Sequence, residues 1–174
     1  MALPHLEQLE IFIIAAKRRT YVGDGANLLS YRQGSHDLQH AEGDYVYQDC
    51  YFGGEDFVGE EVVYWRGRPV WAENYFGRIV EPDLLSGERA GAVIKSSLTK
   101  MYAQNRFLGG FVATDGDCTY HDASTGDAAW FQGREWIERA ARTVYELYYH
   151  GGLIREWRAK AKGAPFGAPN HRWR

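Results

Sequence analysis

The sequence predicts an α+β fold: a curved antiparallel sheet of six or more strands, packed with an N-terminal helix and a mid-chain helix. Aromatic residues make up 15% of the 174 residues and glycine occurs 20 times. This composition is typical of twisted antiparallel strands joined by tight turns. Two stretches with helical periodicity interrupt the β-rich runs. A helix packed across a curled sheet leaves a concave mouth, so we expect a ligand pocket there.

Apolar residues at helical spacing predict the first helix, from about Pro4 to Arg19. The basic residues Lys17, Arg18 and Arg19 fall in its last turn, where the helix dipole favours cations. The turn-rich stretch TYVGDGANLLSYRQGS that follows is expected to be an ordered loop. A second apolar stripe predicts another helix within EPDLLSGERAGAVIKSSLTKMY.

Three strands are predicted between the helices, over residues 44–52, 57–65 and 69–77, because each run is rich in Tyr, Val and Trp and turn residues separate them. After the second helix, RFLGGFVAT, CTYHD, AAWFQG, EWI and VYELYYHGGLI predict further short strands. The stretch WIERAARTVYEL could instead be helical. We find no internal repeat in the sequence.

The chain is expected to form one domain over residues 1–157, followed by a basic flexible tail over residues 158–174. Six of the 20 basic residues but one of the 23 acidic residues lie from Arg155 onward, so the rest carries a net charge of −8. That charge argues against nucleic-acid binding by the folded body.

Two cysteines make no disulfide framework. The N-terminus lacks a signal-peptide pattern, and its apolar run is too short to span a bilayer. We therefore expect a cytoplasmic protein that does not bind membranes.

The alternation of strand side chains selects the candidate site. An even-numbered loop at GGED would place Asp49 opposite Glu60, with Cβ atoms about 5 Å apart. Two carboxylates this close, among aromatic rings, would raise one pKa and suit general acid/base catalysis. The alternative is a solvated face whose acids prevent aggregation. An odd loop would exchange the faces.

The predicted aromatic face includes Tyr47, Tyr51, Trp71 and Tyr75 as substrate-binding residues. The other face, with Glu61 and Asn74, is expected to pack against the helices. If the assignment is inverted, that face is the pocket, so Glu61 and Asn74 are also candidates for ligand binding.

His36 is predicted either as an orienting or acid/base group at the pocket rim, or as a structural histidine. A metal shared with His40 is disfavoured, because the segment lacks the Glu that follows the first His in zinc-binding helices. On a strand, the two rings would also lie too far apart. Neither a metal nor a cofactor is expected, and nucleotide-binding and hydrolase-elbow motifs are absent from the sequence.

The motifs TYVGDG, SHDL, GDYVYQDCYFGGEDFVGEE, RPVWAENYFGR, WFQGREWI and VYELYYHGG occur in this order. From about Ile11 to Ile154 the chain thereby resembles a bacterial domain-of-unknown-function family. Members of that family occur alone or behind a Xre-type helix-turn-helix. The resemblance implies no established activity and no site residues. Glu73 stands where the resemblance would place an apolar residue.

Three functions remain open. The protein could be a cofactor-independent acid/base enzyme on a small molecule, of the isomerase, cyclase, dehydratase or hydrolase type. It could be a non-catalytic ligand-binding or sensor domain, for which a cationic or aromatic ligand would suit the rings and carboxylates. It could also be an interaction protein that forms a homodimer through the aromatic face.

Overall fold

The computed structural model describes residues 4–21 and 30–155, which form two helices and one eight-stranded antiparallel sheet. The elements are α1 (Leu6–Arg19), β1 (His36–Glu42), β2 (Tyr45–Gly53), β3 (Phe57–Trp65), β4 (Arg68–Ile79), α2 (Gly87–Tyr102), β5 (Phe111–Asp115), β6 (Cys118–Asp127), β7 (Trp130–Arg139) and β8 (Arg142–Leu153). The predicted α+β class is confirmed. The predicted ordered loop lies partly outside the described residues, and the basic tail lies wholly outside them.

The sheet has the strand order β1-β2-β3-β4-β8-β7-β6-β5. Each half of the chain therefore contributes a helix followed by four strands, and the two halves meet where β4 pairs with β8. Helix α1 packs against β1 and β2, and α2 packs against β5 and β6. The described residues thus contain a structural repeat that the sequence analysis did not find.

The two halves also share short sequence patterns at equivalent strands. GDYVYQD at the start of β2 corresponds to GDCTYHD at the start of β6, and GEE in β3 corresponds to GRE in β7. Both β4 and β8 carry a tyrosine near their middle. Few identities survive between the halves, which is why the sequence alone did not reveal the repeat.

The β2–β3 hairpin corrects the predicted register. Gly53 pairs with Phe57, so the loop has three residues rather than an even number. Gly53 adopts a φ of 93°, a conformation that glycine allows and that lets β2 continue past the expected turn. Asp49 consequently pairs with Glu61, and the predicted pairing with Glu60 was wrong.

This register decides which side chains face the helices. Glu61 and Glu73 are cross-strand partners on the same inner face as Asp49. Glu60 and Asn74 pair with each other on the outer face. The aromatic face of β2 and β4 therefore packs toward the helices, whereas the other face had been expected to do so.

The hairpin that joins β7 to β8 resolves the ambiguous stretch near residue 140. Ala140 and Ala141 have φ values of 50° and 59°, which form the two-residue turn that matches strand twist. The helical alternative was therefore wrong, and the predicted AAWFQG and EWI runs belong to one strand, β7.

The core lies between the inner face of the sheet and the two helices. Leu9 and Ile13 of α1 and Val93 of α2 are fully buried there. Trp71 is also inaccessible, and its indole donates a 3.0 Å hydrogen bond to the carbonyl of Ala128. The sheet and both helices thus share one continuous core.

A tyrosine in each half crosses a neighbouring strand to reach an aspartate. In the first half, the Tyr75 ring lies directly over Gly59, its cross-strand partner. The phenol then donates a 2.7 Å hydrogen bond to Asp49 on the next strand. A Cβ on residue 59 would lie 2.3 Å from this ring, so the glycine leaves the space that the tyrosine needs.

The second half repeats this arrangement. Tyr149 covers Gly133 and donates a 2.5 Å hydrogen bond to Asp122. Tyr149 is also the direct cross-strand partner of Tyr75. The two tyrosines therefore point in opposite directions from the line on which the two halves join.

We predict opposite effects for two glycine-to-alanine changes. Gly59→Ala displaces the Tyr75 ring and should lower the free energy of unfolding by about 1–3 kcal/mol through overpacking. Gly91→Ala meets no atom within 4 Å and should raise it by roughly 0.5–1 kcal/mol through helix propensity. Urea unfolding of both variants measures this, and equal stability of the two would contradict the packing role of Gly59.

Candidate functional site

A cavity of about 250 Å³ lies between the inner face of the sheet and the helices. The ionisable residues that line it are Lys17, Asp49, Glu55, Glu61, Glu73 and Glu135. The aromatic and aliphatic residues include Tyr21, Tyr51, Phe57, Tyr75, Ile79, Ile94, Leu98, Tyr102, Tyr145 and Leu147. This combination of an apolar wall and a few convergent polar groups is typical of a small-molecule site.

Lys17 links α1 to the sheet. Its ammonium lies 2.5 Å from Glu61 and 3.1 Å from Glu73, and the three side chains are each 10% exposed or less. Burial acts to lower the pKa of Lys17, but the two carboxylates outweigh it and hold that pKa well above its usual value. Lys17 is therefore an ammonium ion at neutral pH.

Asp49 lies directly opposite Glu61 on the neighbouring strand. Burial raises the pKa of Asp49 to about 7, and the adjacent Glu61 carboxylate adds to the increase. The hydrogen bond from Tyr75 acts in the other direction. Asp49 can therefore both hold and release a proton near neutral pH.

Two further carboxyl groups share this behaviour. Burial raises the pKa of Glu73 to about 8 despite the Lys17 ammonium, and Glu61 contributes to the rise. Burial also raises the pKa of Glu135 to about 8, with a smaller contribution from Asp122, its cross-strand partner. Most of the cavity's carboxyl groups therefore retain protons that solvent-exposed acids would lose.

Tyr145 also lines the cavity, and its side chain is 1% exposed. Burial raises the pKa of its phenol well above the usual value, and the nearby Glu135 carboxyl group adds to the increase. Tyr145 therefore stays neutral and contributes an aromatic ring to the wall.

The structure brings together only some of the predicted site residues. Asp49, Tyr51, Tyr75 and Glu61 line the cavity. Tyr47 and Trp71 lie on the same face but are fully buried in the core.

The remaining predicted residues lie elsewhere. Glu60 and Asn74 are on the outer face, so the proposed Asp49–Glu60 pair does not exist. His36 is exposed at the start of β1, where its ring stacks on Tyr51 with centroids 4.9 Å apart. His36 is not among the described residues that line the cavity, and its role at the pocket rim stays a prediction.

Sequence reasoning missed Lys17 and Glu135 as members of the site. Lys17 had been explained by the helix dipole, which applies equally to Arg18 and Arg19. Glu135 occupies the position in β7 that Glu61 occupies in β3, so recognition of the repeat would have pointed to it.

No group of three or more His, Cys, Asp or Glu residues with the geometry to hold a metal ion occurs in the part of the chain that the structure describes. Cys50 and Cys118 are both free thiols. Over the same described ranges, no helix is long and apolar enough to cross a membrane.

A family model described as a domain of unknown function, DUF5680, matches residues 49–154. This span covers more than half of the chain. The chain belongs to the DUF5680 family. The matched span includes Asp49, Glu61, Glu73 and Glu135 and excludes Lys17. No curated protein and no solved structure matches the chain.

We predict that acid stabilises this protein relative to mildly basic solution. Asp49, Glu73 and Glu135 have folded-state pKa values of about 7 to 8, above their values of about 4 in an unfolded chain. The contribution of these three groups to the free energy of unfolding is complete below their pKa values in the unfolded chain. It is lost as pH rises through their pKa values in the folded protein. Urea unfolding should therefore show stability falling from about pH 5 to about pH 8. A rise over that range would contradict the burial of these protons.

We also predict that Lys17→Met destabilises the protein strongly near neutral pH. The change leaves Glu61 and Glu73 buried without their cation, a loss of about 3 kcal/mol or more. The loss should be largest above about pH 8, where Glu73 is ionised in the wild type. Lys100→Met is the matched control, because Lys100 is an exposed cation in the last turn of α2. Equal losses in the two variants would contradict the role of Lys17.

Proposed function

We propose that this protein binds a small molecule in the cavity and acts on it as a cofactor-independent acid/base enzyme. The observation that carries the proposal is Asp49, a cavity-lining carboxyl group whose pKa is raised to about 7. A group that exchanges protons near the working pH is the most effective general acid or base. Isomerisation, cyclisation, dehydration and hydrolysis all use such a group.

The neighbours of Asp49 support this role. The Tyr75 phenol fixes one carboxylate oxygen with a 2.7 Å hydrogen bond, which orients the carboxyl group. Glu61 opposes the loss of the Asp49 proton through like-charge repulsion. Positional constraint together with a tuned pKa distinguishes a catalytic carboxyl group from one that simply covers a surface.

Lys17 has a supporting part in this proposal. An amine nucleophile must be uncharged to attack a carbonyl, whereas Glu61 and Glu73 keep Lys17 protonated. Its ammonium instead holds the two glutamates in place below α1.

A non-catalytic ligand-binding protein is the second candidate, and the same cavity supports it. The aromatic and aliphatic lining of the cavity favours ligand binding as such, without any requirement for chemistry. Dimerisation through the aromatic face has less support, because Trp71 and Tyr47 are inaccessible beneath the helices. A cytoplasmic location is part of the proposal, supported by the two free thiols.

We expect Asp49→Asn to abolish turnover without abolishing ligand binding, because asparagine retains the shape but cannot exchange a proton. The purified protein is incubated with a cellular metabolite extract, and mass spectrometry follows both the compounds consumed and those retained by the protein. Glu60→Gln is the matched control, one residue from Glu61 on the outer face.

Ile94→Trp provides an independent check that the ligand occupies this cavity, since it fills the space between α2 and the sheet. Retention without consumption by the wild type would favour the binding protein. A retained compound that Ile94→Trp does not expel would contradict the assignment of the cavity as the site.

A further inference from the structure

We propose that the ligand of this cavity is an organic cation with an apolar body, such as a quaternary or protonated amine. The inference rests on the proposed function, since it identifies the ligand class of the same site. Two features of the cavity support it: the excess of buried carboxyl groups and the surrounding aromatic rings.

The cavity wall holds more buried acid than buried base. Glu61 and Glu73 share the single ammonium of Lys17. Asp49 and Glu135 line the same cavity, and no cation lies within ion-pair distance of either carboxyl group among the described residues. A cationic ligand would provide the missing charge, whereas an anionic ligand would meet repulsion.

The other walls suit an ammonium group that carries carbon. Six aromatic rings line the cavity, those of Tyr21, Tyr51, Phe57, Tyr75, Tyr102 and Tyr145. Aromatic faces attract cations and accept the methyl or methylene groups attached to them. A bare metal ion would gain little from these rings, and the described part of the chain lacks a cluster that could ligate one.

Proton linkage makes the inference testable. In the empty cavity the carboxyl groups keep their protons near neutral pH, because their pKa values are raised. A bound cation favours the ionised form and expels protons. Binding should therefore strengthen as pH rises from about 6 to about 9 and should release protons to the buffer.

The probes are choline, its neutral carbon isostere dimethylbutanol, and the anion tert-butylacetate, which have similar shapes. Isothermal titration calorimetry of the full chain, in two buffers of different ionisation enthalpy, gives the affinity and the number of protons exchanged. We expect choline to bind about tenfold or more tightly than the isostere at high pH. We expect this preference to decline toward low pH.

Asp49→Asn and Glu135→Gln should each weaken choline binding and reduce the protons released, whereas Glu60→Gln should change neither. Dimethylbutanol or tert-butylacetate could instead bind as tightly as choline or more tightly, and Ile94→Trp could abolish that binding. This result would overturn the cation inference but would keep the cavity as the ligand site. Failure of choline to bind the folded wild type at high pH would also overturn the inference. The metabolite experiment with Ile94→Trp then judges the proposed function separately.

Discussion

The ammonium of Lys17 is the charge on which the arrangement of helices and sheet depends. It ties α1 to Glu61 and Glu73 on two strands of the inner face. Without it, two facing glutamates would lie against a helix with no cation among them. A buried ion pair contributes little net stability, because desolvation offsets most of its attraction. What it provides here is position: it fixes where α1 crosses the sheet and so sets one wall of the cavity.

The duplicated architecture explains why the acids converge. In each half, a tyrosine lies over a glycine and reaches an aspartate. In each half, a glutamate on the next strand is the cross-strand partner of that aspartate. The pairing of β4 with β8 joins the two halves into one sheet and brings both sets of acidic residues beneath the same pair of helices. The halves differ at one point that matters. The first half adds Glu73 and Lys17, whereas Leu147 occupies the position in β8 that corresponds to Glu73 in β4. The duplication therefore supplies a common scaffold, and its asymmetry makes one end of the cavity more polar.

The sequence was sufficient for the fold class and most element bounds, because turn residues and aromatic periodicity are local signals. It placed Asp49 on the aromatic face that lines the cavity but gave it the wrong cross-strand partner. The cause is the three-residue loop that follows Gly53, since one residue in a hairpin loop exchanges every side chain of the next strand between faces. Glu135 and Lys17 could not be placed by local patterns at all. Their proximity to Asp49 depends on the pairing of β4 with β8 and on the packing of α1, both of which are long-range.

The cluster also links stability and function through the same protons. Protonated carboxyl groups are compatible with burial, and ionised ones are not unless a cation accompanies them. The empty cavity satisfies this requirement by holding protons on Asp49, Glu73 and Glu135. A cationic ligand would satisfy it by replacing those protons. Binding and proton release are then two descriptions of one electrostatic constraint, and a bound cation would increase the ionised fraction of Asp49 that can act as a general base. The site would thereby couple occupancy to the ionised state that proton abstraction requires.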